Sequence, residues 1–268
     1  MKKTVLTILA GAALAAAPAY AQFEGEITMK MTMREGTGMG KAYLSKAGVR
    51  SELDIQGARM PMKMTTLVKA SNPDLVYLIN DTQKSYAEMD SRKTREELEK
   101  TRGKNRESWT VKKLGRETVN GYACEHVLVM HGDDVKSEME WWTSKDISGL
   151  SYESMRGLMR RGGQNDEGIM KALRDAGAEG FVVKAVTREK GSPTPVMTME
   201  LTKIEKKSVP ASLFEIPAGY RKQEGMMGAM GVMASPEAQE QMRKAMENMT
   251  PEQRKQIEDM MKAKQQGQ

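Results

Sequence analysis

The residues that could hold a metal or attack a substrate are unevenly supplied: 1 Cys and 2 His stand against 25 Met. Cys124 and His126 are two positions apart, so on a β-strand they share a face. That spacing would serve a Cys/His nucleophile pair or the start of a metal site. No second cysteine and no acidic residue at a recognisable spacing completes either arrangement. The two therefore read as a buried thiol and an ordinary strand histidine. His131 lies five positions from His126 and falls on the other face. Glu138 and Glu140 alternate with Met139 and Trp141, which reads as carboxylates facing water from one strand. There is no Gly-x-x-x-x-Gly-Lys phosphate loop and no Gly-x-Ser-x-Gly elbow. On these grounds the chain reads as a non-enzyme, with no catalytic residue, metal or cofactor assigned.

Methionine is the sulfur that does show a pattern. It recurs at every second residue in Met29, Met31, Met33, in Met60, Met62, Met64, and in Met197, Met199. A period of two puts each set on one face of a strand, and the sets together describe a one-sided sheet with a thioether-lined inner face. Thioethers suit Cu(I), which would want about three convergent ligands. They also suit an apolar surface that accepts varied ligands, because methionine is long and has three free torsions. With 3 Phe against 25 Met, the interior is built from adaptable material. Burying one Met is worth about 1.5–3 kcal/mol, so packing alone accounts for the residues. The eight methionines are the candidate ligand-lining residues, and soft-metal binding is an alternative.

Residues 1–21 are read as a leader outside the fold. Lys2 and Lys3 precede the apolar stretch Val5 to Ala17, and Ala19-Tyr20-Ala21 has the small-x-small form of a cleavage site. Cleavage before Gln22 predicts export to the periplasm. Cys124 is too far from that site to carry a lipid anchor, and no later stretch approaches the ~20 apolar residues of a membrane span. A single cysteine also forbids an internal disulfide. Net charge is +6, and loss of Lys2 and Lys3 leaves about +4. Acids and bases are interspersed, and no basic stripe with aromatics marks a nucleic-acid surface.

The elements that must position the methionines follow from turn chemistry. Strands are predicted over Phe23 to Met33, then, after a Gly-rich turn at Gly36-Thr37-Gly38, twice within Gly40 to Gln56 around Ala47-Gly48, over Met60 to Ala70, Leu75 to Ile79 and Ser85 to Met89. Ser91 to Arg106 is highly charged and reads as a short solvated helix or a mobile excursion. Strands resume at Trp109 to Leu114, Tyr122 to Met130 and Lys136 to Thr143, with Asn120-Gly121 signalling a type I′ hairpin. Helices are predicted over Tyr152 to Arg161 and Glu167 to Ala176. Two more strands, Phe181 to Arg188 and Val196 to Ile204, complete a β-body that ends near Tyr220. Beyond it come a Gly/Met-rich linker, 223–234, and a helical tail, 235–268, with Ser235-Pro236 and Thr250-Pro251 as helix starts.

Several motifs then coincide in order: Phe23-Glu24-Gly25-x-Ile27, Leu75-Val76-Tyr77-Leu78-Ile79, Lys84-Ser85-Tyr86-x-Glu88-Met89-Asp90, Leu114-Gly115-Arg116-Glu117-Thr118-Val119-Asn120-Gly121-Tyr122-x-Cys124, Trp142-Thr143-Ser144-Lys145-Asp146-Ile147, and Val209-Pro210-Ala211-Ser212-Leu213-Phe214-Glu215-Ile216-Pro217-Ala218-Gly219-Tyr220. Over about residues 23–222 the chain resembles the exported bacterial proteins grouped as the DUF4412 family. That resemblance implies a fold similar to periplasmic lipoprotein carriers. Such a fold is mainly β with α, a curved antiparallel sheet or incomplete barrel with helices on the concave side. It implies no activity and no catalytic residues.

The expected function is an exported, non-enzymatic protein that shelters an apolar ligand, a lipid or acyl chain, in a Met-lined concave sheet. The alternative from another class is an envelope stress or protein-interaction factor that meets an envelope protein through the Met-rich tail.

Overall fold

The computed structural model describes residues 23–57, 62–92, 109–132, 137–147, 150, 166–224, 231–232 and 250. Met60, the leader 1–21, most of the charged excursion, the helix expected at 152–161 and the tail helices lie outside the described residues.

The strands are β1 (Gly25–Met33), β2 (Gly36–Ser45), β3 (Gly48–Gln56), β4 (Met62–Lys69), β5 (Asn72–Asn80), β6 (Ser85–Asp90), β7 (Trp109–Val119), β8 (Tyr122–His131), β9 (Ser137–Ser144), β10 (Phe181–Glu189), β11 (Pro195–Lys206) and β12 (Arg221–Gln223). They form one open, curved 12-stranded sheet in the order β12-β6-β5-β4-β3-β2-β1-β11-β10-β9-β8-β7. Every pairing is antiparallel except β12 with β6. Short polar turns join most consecutive strands, which is the meander that the turn residues dictate. Asn120 and Gly121 both have positive φ, 51° and 84°, as the hairpin signal requires. Gly48 serves close approach instead: a Cβ there would stand 2.2 Å from the Val68 carbonyl oxygen of β4.

The first strand and the eleventh lie side by side at the centre of the sheet. One charged knot ties that seam, with Lys207 donating to Glu26 at 2.7 Å and to Glu205 at 2.8 Å. The Glu24 side chain also accepts from the Val209 amide at 2.8 Å.

One α-helix among the described residues, Asp166–Asp175, presents Ile169 and Leu173 to Val127 and Val129 of β8. It falls within a residue of the expected 167–176. The described residues are thus mainly β, and the fuller α+β arrangement with several concave helices is not what they carry. One strand expectation needs correction. The strand beginning at Trp109 does not stop at Leu114; it continues to Val119, with a register shift between Lys113 and Gly115 absorbing the irregularity. Just past Tyr220, Arg221–Gln223 adds an edge strand beside β6.

The sheet is also not one-sided. Leu67 and Ile79 are buried on the face away from the methionines, under Val209 and Phe214, with Leu213, Ile216 and Tyr220 packed around them. The terminal block of the family-like motif is therefore a cover for the outer face. Sequence alternation could not separate the faces here, because Leu75 to Ile79 is apolar throughout.

Candidate functional site: the methionine-lined inner wall

Residues directly opposite in an antiparallel pair share a face, so register assigns the wall residue by residue. One row runs Met139, Thr187, Met197, Met33, Gly36 across β9, β10, β11, β1 and β2. The next runs Val127, Trp141, Ala185, Met199, Met31, Gly38, Ile55, Met62, from β8 to β4. A third runs Leu201, Met29, Gly40, Leu53, Met64. Met29, Met31, Met33, Met62, Met64, Met197 and Met199 therefore occupy one face, brought together by the central β1–β11 seam. It is the same face that carries the helix. No titratable side chain stands in these rows from β9 to β4; at the β7 edge Lys113 stands opposite Val127 and pairs at 3.1 Å with Glu125, two residues from Val127 on the same face.

β2 contributes backbone rather than side chains to this wall. Gly36, Gly38 and Gly40 leave a bare strip between the methionines of β1 and Leu53 and Ile55 of β3. The Met31 methyl leans over the strip, 3.5 Å from where a Cβ of Gly38 would be and 3.9 Å from that of Gly40. One flexible side chain thus roofs the strip, and rotation of Met31 would deepen it into a slot. The expectation of a turn at Gly36-Thr37-Gly38 needs correction: these residues open β2, paired with Met33, Thr32 and Met31 of β1. Their signal was present as Gly at alternate positions 36, 38 and 40, matching the methionine period.

Burial changes steadily along the wall. On β1 it falls from Ile27, 1% exposed, to half-buried Met29, Met31 and Met33. On β11 it falls from Leu201, 1% exposed, through Met199 at 8% to Met197 at 36%. The strands are antiparallel, so both gradients point to the same rim. The wall is flanked on the β8 side by the helix through Ile169 and Leu173. On the other side Val232 packs against Val76, Leu78 and Ala87, and Asn80 donates its side-chain amide to the Val232 carbonyl at 3.0 Å.

A cluster of nitrogen and carboxylate groups gathers on the opposite face. His126 Nε2 lies 2.8 Å from Glu140 Oε2, and Nδ1 lies 3.1 Å from Glu117 Oε1. Its ring stacks on Trp142 at 4.1 Å between centroids. The Trp142 indole donates to Glu117 at 3.0 Å, Arg188 pairs with Glu140, and Lys184 sits 5.0 Å over the Trp142 ring. So Glu140 does not simply face water, and His126 is not an isolated strand histidine. Register placed Glu117 of β7, Trp142 of β9, and Lys184 and Arg188 of β10 beside them, which spacing along one strand cannot reveal. Both imidazole nitrogens are occupied by carboxylate oxygens, so neither is left to serve a substrate. The cluster acts as a clasp across β7, β8, β9 and β10. Cys124, on the same face, is buried as expected, and burial pushes its thiol up from its ordinary range.

No helix among the described residues is long and apolar enough to cross a membrane. What these elements define is an open, almost wholly antiparallel β-protein with an uncharged methionine wall. The chain belongs to the family described as "Domain of unknown function (DUF4412)", whose model matches residues 23–220. No curated protein matches it in sequence. Among solved structures it is similar to an uncharacterized conserved protein from Thermus thermophilus, with 7% identity and a TM-score of 0.44, covering 76% of this chain and 90% of that one. It is also similar to the Mycobacterium tuberculosis lipoprotein LppX, with 8% identity, a TM-score of 0.33, and 70% and 90% covered. A third is a LolA superfamily protein from Nitrosomonas europaea, with 9% identity, a TM-score of 0.27, and 73% and 90% covered.

Proposed function

We propose that this protein binds an apolar ligand, a lipid or acyl chain, against the inner wall, and that it does so as an exported carrier rather than as an enzyme. The observation that carries the reading is the register. Methionines from distant segments line up in adjacent rows beside a glycine strip, with burial falling toward one rim and no charge among them. An acyl chain needs such a surface: uncharged, elongated and soft enough to adjust to unsaturation and length. Each buried methylene is worth about 0.8 kcal/mol, so a few methylenes laid along the strip give measurable affinity. The soft-metal alternative fits less well, because the Met31 methyl lies over the glycine positions of β2, an ordinary packing contact.

Gly40 supplies the test. A Cβ there meets its nearest atoms at 3.9 Å, which is ordinary contact, so a side chain can start from this position without its Cβ clashing with backbone. Binding of a fluorescent fatty acid is measured for the native chain and for Gly40→Leu, with native mass spectrometry of the gently purified protein alongside. The expected result is co-purifying lipid, probe binding, and a loss of about tenfold or more in Gly40→Leu with thermal stability retained. Absence of both lipid and probe binding in the native chain would refute the reading.

A further inference from the structure

We propose that Met33 and Met197 form an oxidation-sensitive modification site at the rim of the wall, and that converting them to sulfoxides switches off binding of the apolar ligand. This rests on the carrier reading. The two residues face each other across the β1–β11 seam and share a row with Met139, Thr187 and Gly36. Met197 is 36% exposed, whereas its neighbour one row deeper, Met199, is 8% exposed. Access to an oxidant therefore falls off within two residues of the same strand.

The chemistry is a two-electron oxidation by hypochlorous acid or a peroxide. The sulfur lone pair takes the terminal oxygen, the sulfur–oxygen bond forms, and the Cl–O or O–O bond breaks. Chloride and a proton leave in one case, and water or an alcohol in the other. A soft apolar side chain becomes a polar hydrogen-bond acceptor. While exposed, the sulfoxide is satisfied by water. An acyl chain crossing the rim would strip that water and offer no donor in return, so binding weakens with each group converted. Thr187 holds the only side-chain hydroxyl in that row.

The fold supplies its own control. Met39 is 43% exposed, but it stands between Lys30 and Asp54 in register, on the outer face. Oxidation there leaves the wall unchanged.

The full chain is treated with graded hypochlorous acid. Each dose is peptide-mapped by mass spectrometry and titrated with a fluorescent fatty acid. Met197 and Met39 are expected to convert first, Met33 next and Met199 last, with probe affinity falling about tenfold as Met33 and Met197 convert. Met39→Leu should lose binding at the same dose as the native chain. The double variant Met33→Leu, Met197→Leu should keep its own starting affinity through that dose. Conversion of Met199 together with Met197, or full affinity with both rim residues converted, would overturn the switch alone. An unoxidised protein that binds no probe would overturn the carrier reading and the switch with it.

Discussion

At the scale of single residues, the outer-face clasp shows what partnering does to groups that look plain in sequence. Glu140 holds both Arg188 and the His126 ring, so removing its carboxylate strands a cation and a ring nitrogen in a half-buried site. Glu140→Ala should cost about 1.5–3 kcal/mol, read from urea unfolding. A loss below about 0.5 kcal/mol would show the clasp to be a surface pair of little weight. Cys124 makes the complementary case. It is 3% exposed and its thiol is pushed up mainly by burial, so an aromatic disulfide reagent at mildly alkaline pH should label it slowly in the native protein and at once in denaturant. Rapid native labelling would contradict that burial.

At the scale of elements, the β1–β11 seam decides the wall, because it alone brings Met29, Met31 and Met33 beside Leu201, Met199 and Met197. Lys207 fastens it. Its hydrogen bond holds the Glu26 carboxyl below 4.5, and those of Lys207 and Lys203 do the same for Glu205. A depressed carboxyl contributes stability that is full above its ordinary value and is lost as pH falls through the folded one. Lys207 itself is raised, by Glu205 first and Glu26 second, so its share is present below its ordinary 10.5 and goes only in strong alkali. Stability should therefore decline as pH falls below the ordinary carboxylate range, and Lys207→Met should make that decline shallower. Identical acid limbs in equilibrium unfolding of the two proteins would contradict the role given to this knot.

How far these elements could be read in advance depended on period. Met29 to Met33 and Met197 to Met199 announced their strands and their face through strict alternation. Asn120-Gly121 announced its turn through the φ it demands. Neither signal says which strand pairs with which, so the His126–Glu117–Glu140–Arg188 grouping, made of four strands in register, stayed invisible. Likewise Val209–Tyr220 read only as a family-like motif. Its role as a cover depends on Leu67 and Ile79 pointing outward, and a run of consecutive apolar residues does not report direction.

At the scale of the whole molecule, an open sheet leaves both flanks of its inner wall to other elements. The helix Asp166–Asp175 holds one flank through Leu173, which is fully buried. Leu173→Ala should cost about 2–5 kcal/mol in unfolding free energy. Val232 holds the other, so a chain ending after Glu224 should keep the sheet, by circular dichroism, and bind a hydrophobic dye more strongly as Val76 and Leu78 are uncovered. Loss of the sheet signal in that shortened chain would mean that the cover is part of the fold.

A fatty acid carrying a photoreactive diazirine on its chain tests the central claim most directly, with cross-linked sites read by peptide mapping. Adducts should concentrate on inner-wall positions of β11, β1, β2 and β3, among them Met197, Met33, Met31, Gly38 and Leu53. Adducts confined to the outer face, around Met39 or the Val209–Tyr220 cover, or no adduct at all, would contradict the account.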